Sequence, residues 1–89
     1  MLDVFGNAFE GRLPPRALAP LRLEIFNVDR NNFTGPFPEL RFGDVQQCDI
    51  LHADGGNRFA CPWPANVTAR CRRYDGAEWV AVTDADCVS

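Results

Sequence analysis

The sequence predicts an α/β solenoid, with short parallel strands along one side, an irregular or short-helical return on the other, and a disulfide-bonded C-terminal cap. Three observations predict it. A phrase recurs: residues 7–14 read NAFEGRLP, residues 31–38 NNFTGPFP and residues 57–64 NRFACPWP, with Asn7 and Asn31 spaced 24 residues apart. Self-similarity at a period of 20–50 residues marks stacked repeats. Apolar residues alternate just before the phrase, as strands require. All four cysteines fall in the last half of the 89 residues.

Each element follows in order. Leu2 and Val4 precede Asn7 as Phe26 and Val28 precede Asn31, so both pairs read as short strands with one face inward. The asparagine then turns the chain out of the strand. Phe9 and Phe33 fill the interior behind it, Gly11 and Gly35 let the backbone turn, and Pro14 and Pro38 fix an extended exit. Residues 14–23, PPRALAPLRL, form the return path, with a short helical turn from Arg16. In the third copy Cys61 replaces the glycine and Trp63 stands where Phe37 and Leu13 stood. Beyond it, CRRYDGAEWVAV reads as a β-hairpin: a run to Tyr74, an Asp75-Gly76 turn, and a run Trp79–Thr83 with Val80 and Val82 on one face.

Residues 23–38 read L-xx-F-x-V-xx-N-x-F-x-G-x-F-P. This resembles the leucine-rich repeat, in the 24-residue form of plant receptor ectodomains. The N-x-F-x-C-P-x-P phrase resembles the cysteine-containing C-terminal caps of that family. The resemblance implies two repeats over 1–40, the first incomplete, and a cap over 41–89. It implies that Asn7, Asn31 and Asn57 bond backbone groups of neighbouring coils, as a buried amide requires. It places Asp3, Phe5, Ile25, Asn27 and Asp29 on the concave, ligand-facing side. The expected partners are a protein, peptide or glycan, together with further upstream repeats of the same protein.

Composition narrows the function. The formal net charge is −3, every cation is arginine, and the one basic cluster, Arg70, Arg72 and Arg73, reads as a solvated face rather than a nucleic-acid site. No apolar run is long enough to span a bilayer, so no membrane contact is expected within the segment. Cys48, Cys61, Cys71 and Cys87 read as two disulfides in an oxidising compartment. Of the three possible pairings, short loops favour Cys48–Cys61 with Cys71–Cys87; Cys61–Cys71 with Cys48–Cys87 is the rival, and sequence does not decide. Zinc would need paired close ligands, and Cys48-xxx-His52 has no answering pair, so no metal is expected. Sequons at Asn32 and Asn66 agree with secretion, Asn32 being the favoured acceptor. Localisation is therefore read as extracellular or cell-surface, with the signal peptide outside this chain.

No constellation for catalysis emerges. His52 has no adjacent nucleophile, Ser89 is the sole serine, and the Asp54-Gly55-Gly56-Asn57 loop lacks the alternating oxygens of an EF-hand. Asp84 and Asp86 read as solvated. The chain is thus expected to be a non-catalytic recognition module without cofactor, at the C-terminal end of a secreted or cell-surface protein. The alternatives are a structural wall or adhesion protein and an inhibitor of an extracellular hydrolase.

Overall fold

A computed structural model describes residues 2–3, 6, 9–13, 23–39, 43 and 45–88, with backbone only at Leu2 and Asp3. The described strands are β1 (Leu2–Asp3), β2 (Glu10–Gly11), β3 (Ile25–Asn27), β4 (Asn32–Pro36), β5 (Gln47–His52), β6 (Arg58–Ala60), β7 (Arg72–Tyr74) and β8 (Trp79–Ala81). One helical turn, α1 (Val67–Arg70), and a 3-10 turn over Asp84–Asp86 complete the elements among the described residues.

The strands form two sheets. The first has the order β1-β3-β5-β7-β8 and the second β2-β4-β6. From β1 to β7 successive strands alternate between the sheets, and β8 returns to the first. In the first sheet β1, β3, β5 and β7 run parallel, and β8 returns antiparallel to β7. The second sheet is parallel throughout.

The expected α/β solenoid is not what forms. The described residues make a small body, 31 × 24 × 24 Å with a radius of gyration of 11.7 Å, of two sheets, the larger of mixed direction, and one lone helical turn. The side assigned to irregular or short-helical chain carries a second sheet instead. The cause lies in the repeated phrase. Its Asn, Gly and Pro residues read locally as turns, but Asn32–Pro36 is extended and alternates Phe33 inward with Asn32 and Thr34 outward. Strand β6 completes its ladder through Thr34↔Arg58, Gly35↔Phe59 and Pro36↔Ala60. Backbone pairing supplied from another part of the chain outweighs local turn preference. The turn expected from Arg16 lies outside the described residues.

Between the sheets runs an aromatic column. Phe37 meets Phe26 edge-on at 6.0 Å, Phe59 at 5.0 Å and Trp63 at 5.9 Å. Such edge-to-face pairs add to the stabilisation from area buried. Trp63 also donates its Nε1–H to the Thr83 carbonyl at 2.9 Å, which lets its polar tip sit at the edge of the core. Phe9 does not fill the interior as expected. It is 51% exposed and stacks on Phe33 at 6.5 Å, because β2 is an edge strand with only β4 beside it.

The Asn31 and Asn57 side chains lie inside the backbone framework. Asn57 accepts a hydrogen bond from Phe33 N–H at 2.9 Å and donates to the carbonyls of Val28 at 2.6 Å and Ile50 at 2.9 Å. Asn31 accepts from Phe9 N–H at 3.2 Å and donates to Val28 O at 3.0 Å. Each amide therefore joins segments more than twenty residues apart and satisfies backbone groups that burial would otherwise penalise. Gly56 allows the close approach: a Cβ there would lie 2.7 Å from the Asn31 carbonyl oxygen, and its φ of +107° disfavours any side chain. Asn7 lies outside the described residues.

The disulfides are Cys48–Cys71 and Cys61–Cys87, neither the pairing that short loops favoured nor its rival. Cys48 and Cys71 lie on and beside adjacent parallel strands, β5 and β7, with Cα atoms 4.5 Å apart. Strand adjacency decides the pairing, whereas a preference for short loops assumes that sequence neighbours meet. Two disulfides indicate an oxidising, extracellular environment.

The hairpin read from Asp75-Gly76 forms, with Arg72↔Ala81, Arg73↔Val80 and Tyr74↔Trp79 in register. Its loop is longer than a two-residue turn: Asp75 N–H donates to Glu78 O, and the Asp75 carboxylate accepts from the amides of Ala77 and Glu78, each at 2.8 Å. Those two donors hold the Asp75 carboxyl below its ordinary range.

Candidate ligand-binding groove

The outer face of the first sheet carries a groove of about 310 Å³. Its floor is built strand by strand. Asn27 of β3 lies opposite Asp49 of β5, and Asp49 lies opposite Arg72 of β7. Strict alternation along β5 would send Asp49 and His52 to opposite faces. A register shift between Asp49 and Leu51 re-phases the strand, so His52 pairs with Tyr74 and joins Asp49 in lining the groove.

One end of the groove is a closed polar network. Arg72 approaches Asp49 Oδ1 through both Nε and a terminal nitrogen, each at 2.8 Å. Gln47 Nε2 donates to Asp49 Oδ2 at 2.8 Å and to Asn27 Oδ1 at 3.1 Å. The Arg72 guanidinium also rests over the Trp79 ring, 5.3 Å from its centroid. An aromatic wall continues from there: Tyr74 is 5.4 Å from Trp79 and stacks on His52 at 4.9 Å. The His52 Nδ1 accepts from Asp54 N–H at 3.2 Å, which fixes the ring against Tyr74.

The other end is open. Asp29 is 4% exposed and lines the groove, yet no other described residue donates a hydrogen bond to its carboxylate or forms an ion pair with it. Burial raises its pKa above the usual carboxylate value, assisted by the nearby charge of Asp49; its own amide, His52 and Arg30 oppose this only in part. Arg30 beside it is exposed and holds a left-handed backbone, φ 61°.

Of the concave-face residues expected from sequence, the structure brings Asn27 and Asp29 into the groove. Ile25 is half-buried on the same strand and does not line it. The Asp3 side chain and Phe5 lie outside the described residues. Sequence reasoning missed Arg30, Gln47, Asp49, His52, Tyr74 and Trp79. The alternation of Gln47 and Asp49 around Cys48 was the available signal for β5, but the register shift hides His52 from any such pattern.

The arginine cluster lies at the surface, as expected, and its members also approach neighbouring groups. Arg72 is engaged by Asp49, Arg73 Nε lies 3.3 Å from Asp86 Oδ2, and Arg70 donates to Val45 O at 3.4 Å. Asp86 is likewise structural, accepting from Thr83 N–H at 2.7 Å to cap the 3-10 turn. Both sequon asparagines, Asn32 and Asn66, are exposed, as are Thr34 and Thr68. Among the described residues no helix is long and apolar enough to cross a membrane.

Comparison of the chain with protein-family models, with curated proteins and with solved structures finds no match.

Proposed function

We propose that the chain is a non-catalytic recognition module of a secreted or cell-surface protein, and that the groove on the first sheet receives part of a protein or peptide ligand. One observation carries the reading: the His52, Tyr74 and Trp79 rings stand side by side along a groove whose floor is Asn27, Asp29, Gln47 and Asp49. Half-buried aromatics next to oriented polar groups supply contact area at low entropic cost and are the usual anchors of interfaces. Asn27, Gln47 and Asp49 are fixed to one another and to Arg72, so these groups need little ordering on binding.

The test is a binding screen of the oxidised protein against arrays of extracellular peptides and of glycans, repeated with Tyr74→Ala and Trp79→Ala. The expected result is a selective peptide signal that both substitutions reduce at least tenfold. Signals indifferent to both substitutions would place recognition elsewhere and sink the proposal.

A further inference from the structure

We propose that the groove takes the cationic side chain of a lysine or arginine on the protein ligand, with the Asp29 carboxylate as its counter-ion and the rings of Tyr74 and Trp79 as its walls. This rests on the reading of the groove as a recognition site.

Two carboxylates share one groove and one degree of burial. Asp29 and Asp49 are each 4% exposed. Asp49 is fully committed, to Arg72 and to Gln47. Asp29 faces the same groove and has no donor from another described residue. A carboxylate removed from water without a partner is unfavourable, and folded proteins retain such a group where something else completes it. Arg30 also lines the groove and its charge favours the ionised Asp29, but its guanidinium makes no ion pair with the carboxylate and the residue is exposed. The bonding positions of the carboxylate are therefore open toward the groove.

The chemistry of the missing partner follows from what surrounds it. A neutral hydroxyl would supply a hydrogen bond but leave the charge uncompensated; an ammonium or guanidinium supplies both. The same groove is lined by the rings of Tyr74 and Trp79, whose quadrupoles attract cations. The molecule already displays the match, since Arg72 bridges a buried aspartate and the Trp79 face at the closed end of the groove. A ligand lysine or arginine at the open end would reproduce that arrangement with Asp29. The groove volume of about 310 Å³ accommodates one such side chain with its apolar stem against the rings.

The experiment uses the intact, disulfide-bonded chain and NMR titration with capped tripeptides bearing arginine, lysine, norleucine or glutamate between two glycines. The arginine and lysine peptides are expected to shift the Trp79 indole N–H and the amides of β7 and β8 saturably, while the Trp63 indole, bonded to Thr83, stays in place. Asp29→Asn, which keeps size and shape, should weaken the cationic peptides at least tenfold; its spectral dispersion checks that it folds. Glu24→Gln, an exposed acid outside the groove, should leave affinity unchanged. Equal binding of the norleucine peptide, or unchanged affinity in Asp29→Asn, overturns the cation assignment. Groove shifts from the norleucine or glutamate peptide, or from a neutral oligosaccharide, but not from the cationic peptides, would retain a recognition site and discard the cation. Silence from every probe would discard both.

Discussion

The two ends of the groove carry the same buried group in opposite states. Around Asp49, strand register brings Arg72, Gln47 and Asn27 into one hydrogen-bonded set, and the Cys48–Cys71 bridge ties the residues immediately preceding Asp49 and Arg72. Around Asp29 the chain has just left β3, turns through the left-handed Arg30, and supplies no donor. The first end contributes to stability, because the buried Asp49 carboxylate meets Gln47 and the half-exposed Arg72 guanidinium at good geometry. The second lowers stability, because a largely desolvated carboxylate is offset only in part by its own amide and by nearby charges. A fold that keeps both in one groove separates the parts that hold the site from the part left available to react with something else.

The largest expected effect breaks the stable end. Replacing Cys48 and Cys71 together by alanine removes a tie across 23 residues, and urea denaturation should show a loss of about 3 kcal/mol. Next, Asp49→Ala leaves Arg72 and Gln47 without their acceptor. Arg72 is 42% exposed and partly recovers water, so the expected cost is about 2 kcal/mol by the same measurement. An unchanged midpoint would mean that the network is held by the strands alone.

The open end should behave in reverse. Asp29→Asn is expected to stabilise the free protein by about 1 kcal/mol at neutral pH while weakening ligand binding. The pH dependence gives the sign. Burial raises the Asp29 pKa above 3.8, so the folded state binds the proton more tightly than the unfolded chain does. Stability from this group is then present below 3.8 and is lost as pH rises through the folded pKa. The advantage of Asp29→Asn should therefore be full at neutral pH and close as pH falls toward 3.8; a constant gap across that range would show that its charge is not what costs stability. The smallest effect is at Arg30→Gly, where relief of the left-handed backbone should raise stability by about 0.5 kcal/mol, read as a small rise in Tm.

The contrast also explains what the sequence disclosed. The resemblance placed Ile25, Asn27 and Asp29 on one face, and Asn27 and Asp29 line the groove while Ile25 does not. The phrase itself marked Asn31 and Asn57, whose amides now join distant backbone segments. The hairpin was legible from Asp75-Gly76 because a hairpin is a local event. The second sheet was not, since Asn32, Gly35 and Pro36 look like turn residues until β6 lies beside them. Gln47, Asp49, Tyr74 and Trp79 meet only through inter-strand register, and His52 only through the shift after Asp49. The cysteine pairing failed for the same reason: the loop-length preference is local, and the bridges join strands that are neighbours in space.

The two bridges differ in access, and that difference sets an order of chemical wear. Cys48 and Cys71 are 0% and 1% exposed, whereas Cys61 lies at the surface. Thiol exchange needs an in-line approach to sulfur, so an external thiol reaches Cys61–Cys87 in the folded state and the inner bridge only after opening. Once the outer bridge is cut, the tail is still held by paired backbone bonds between Val88 and the Phe59 and Cys61 amide groups. Oxidant can then reseal it in place. The molecule thus carries a renewable fastening at its rim and a permanent one beneath its groove, and exposure to a mild reductant would spend the first before it touched the second.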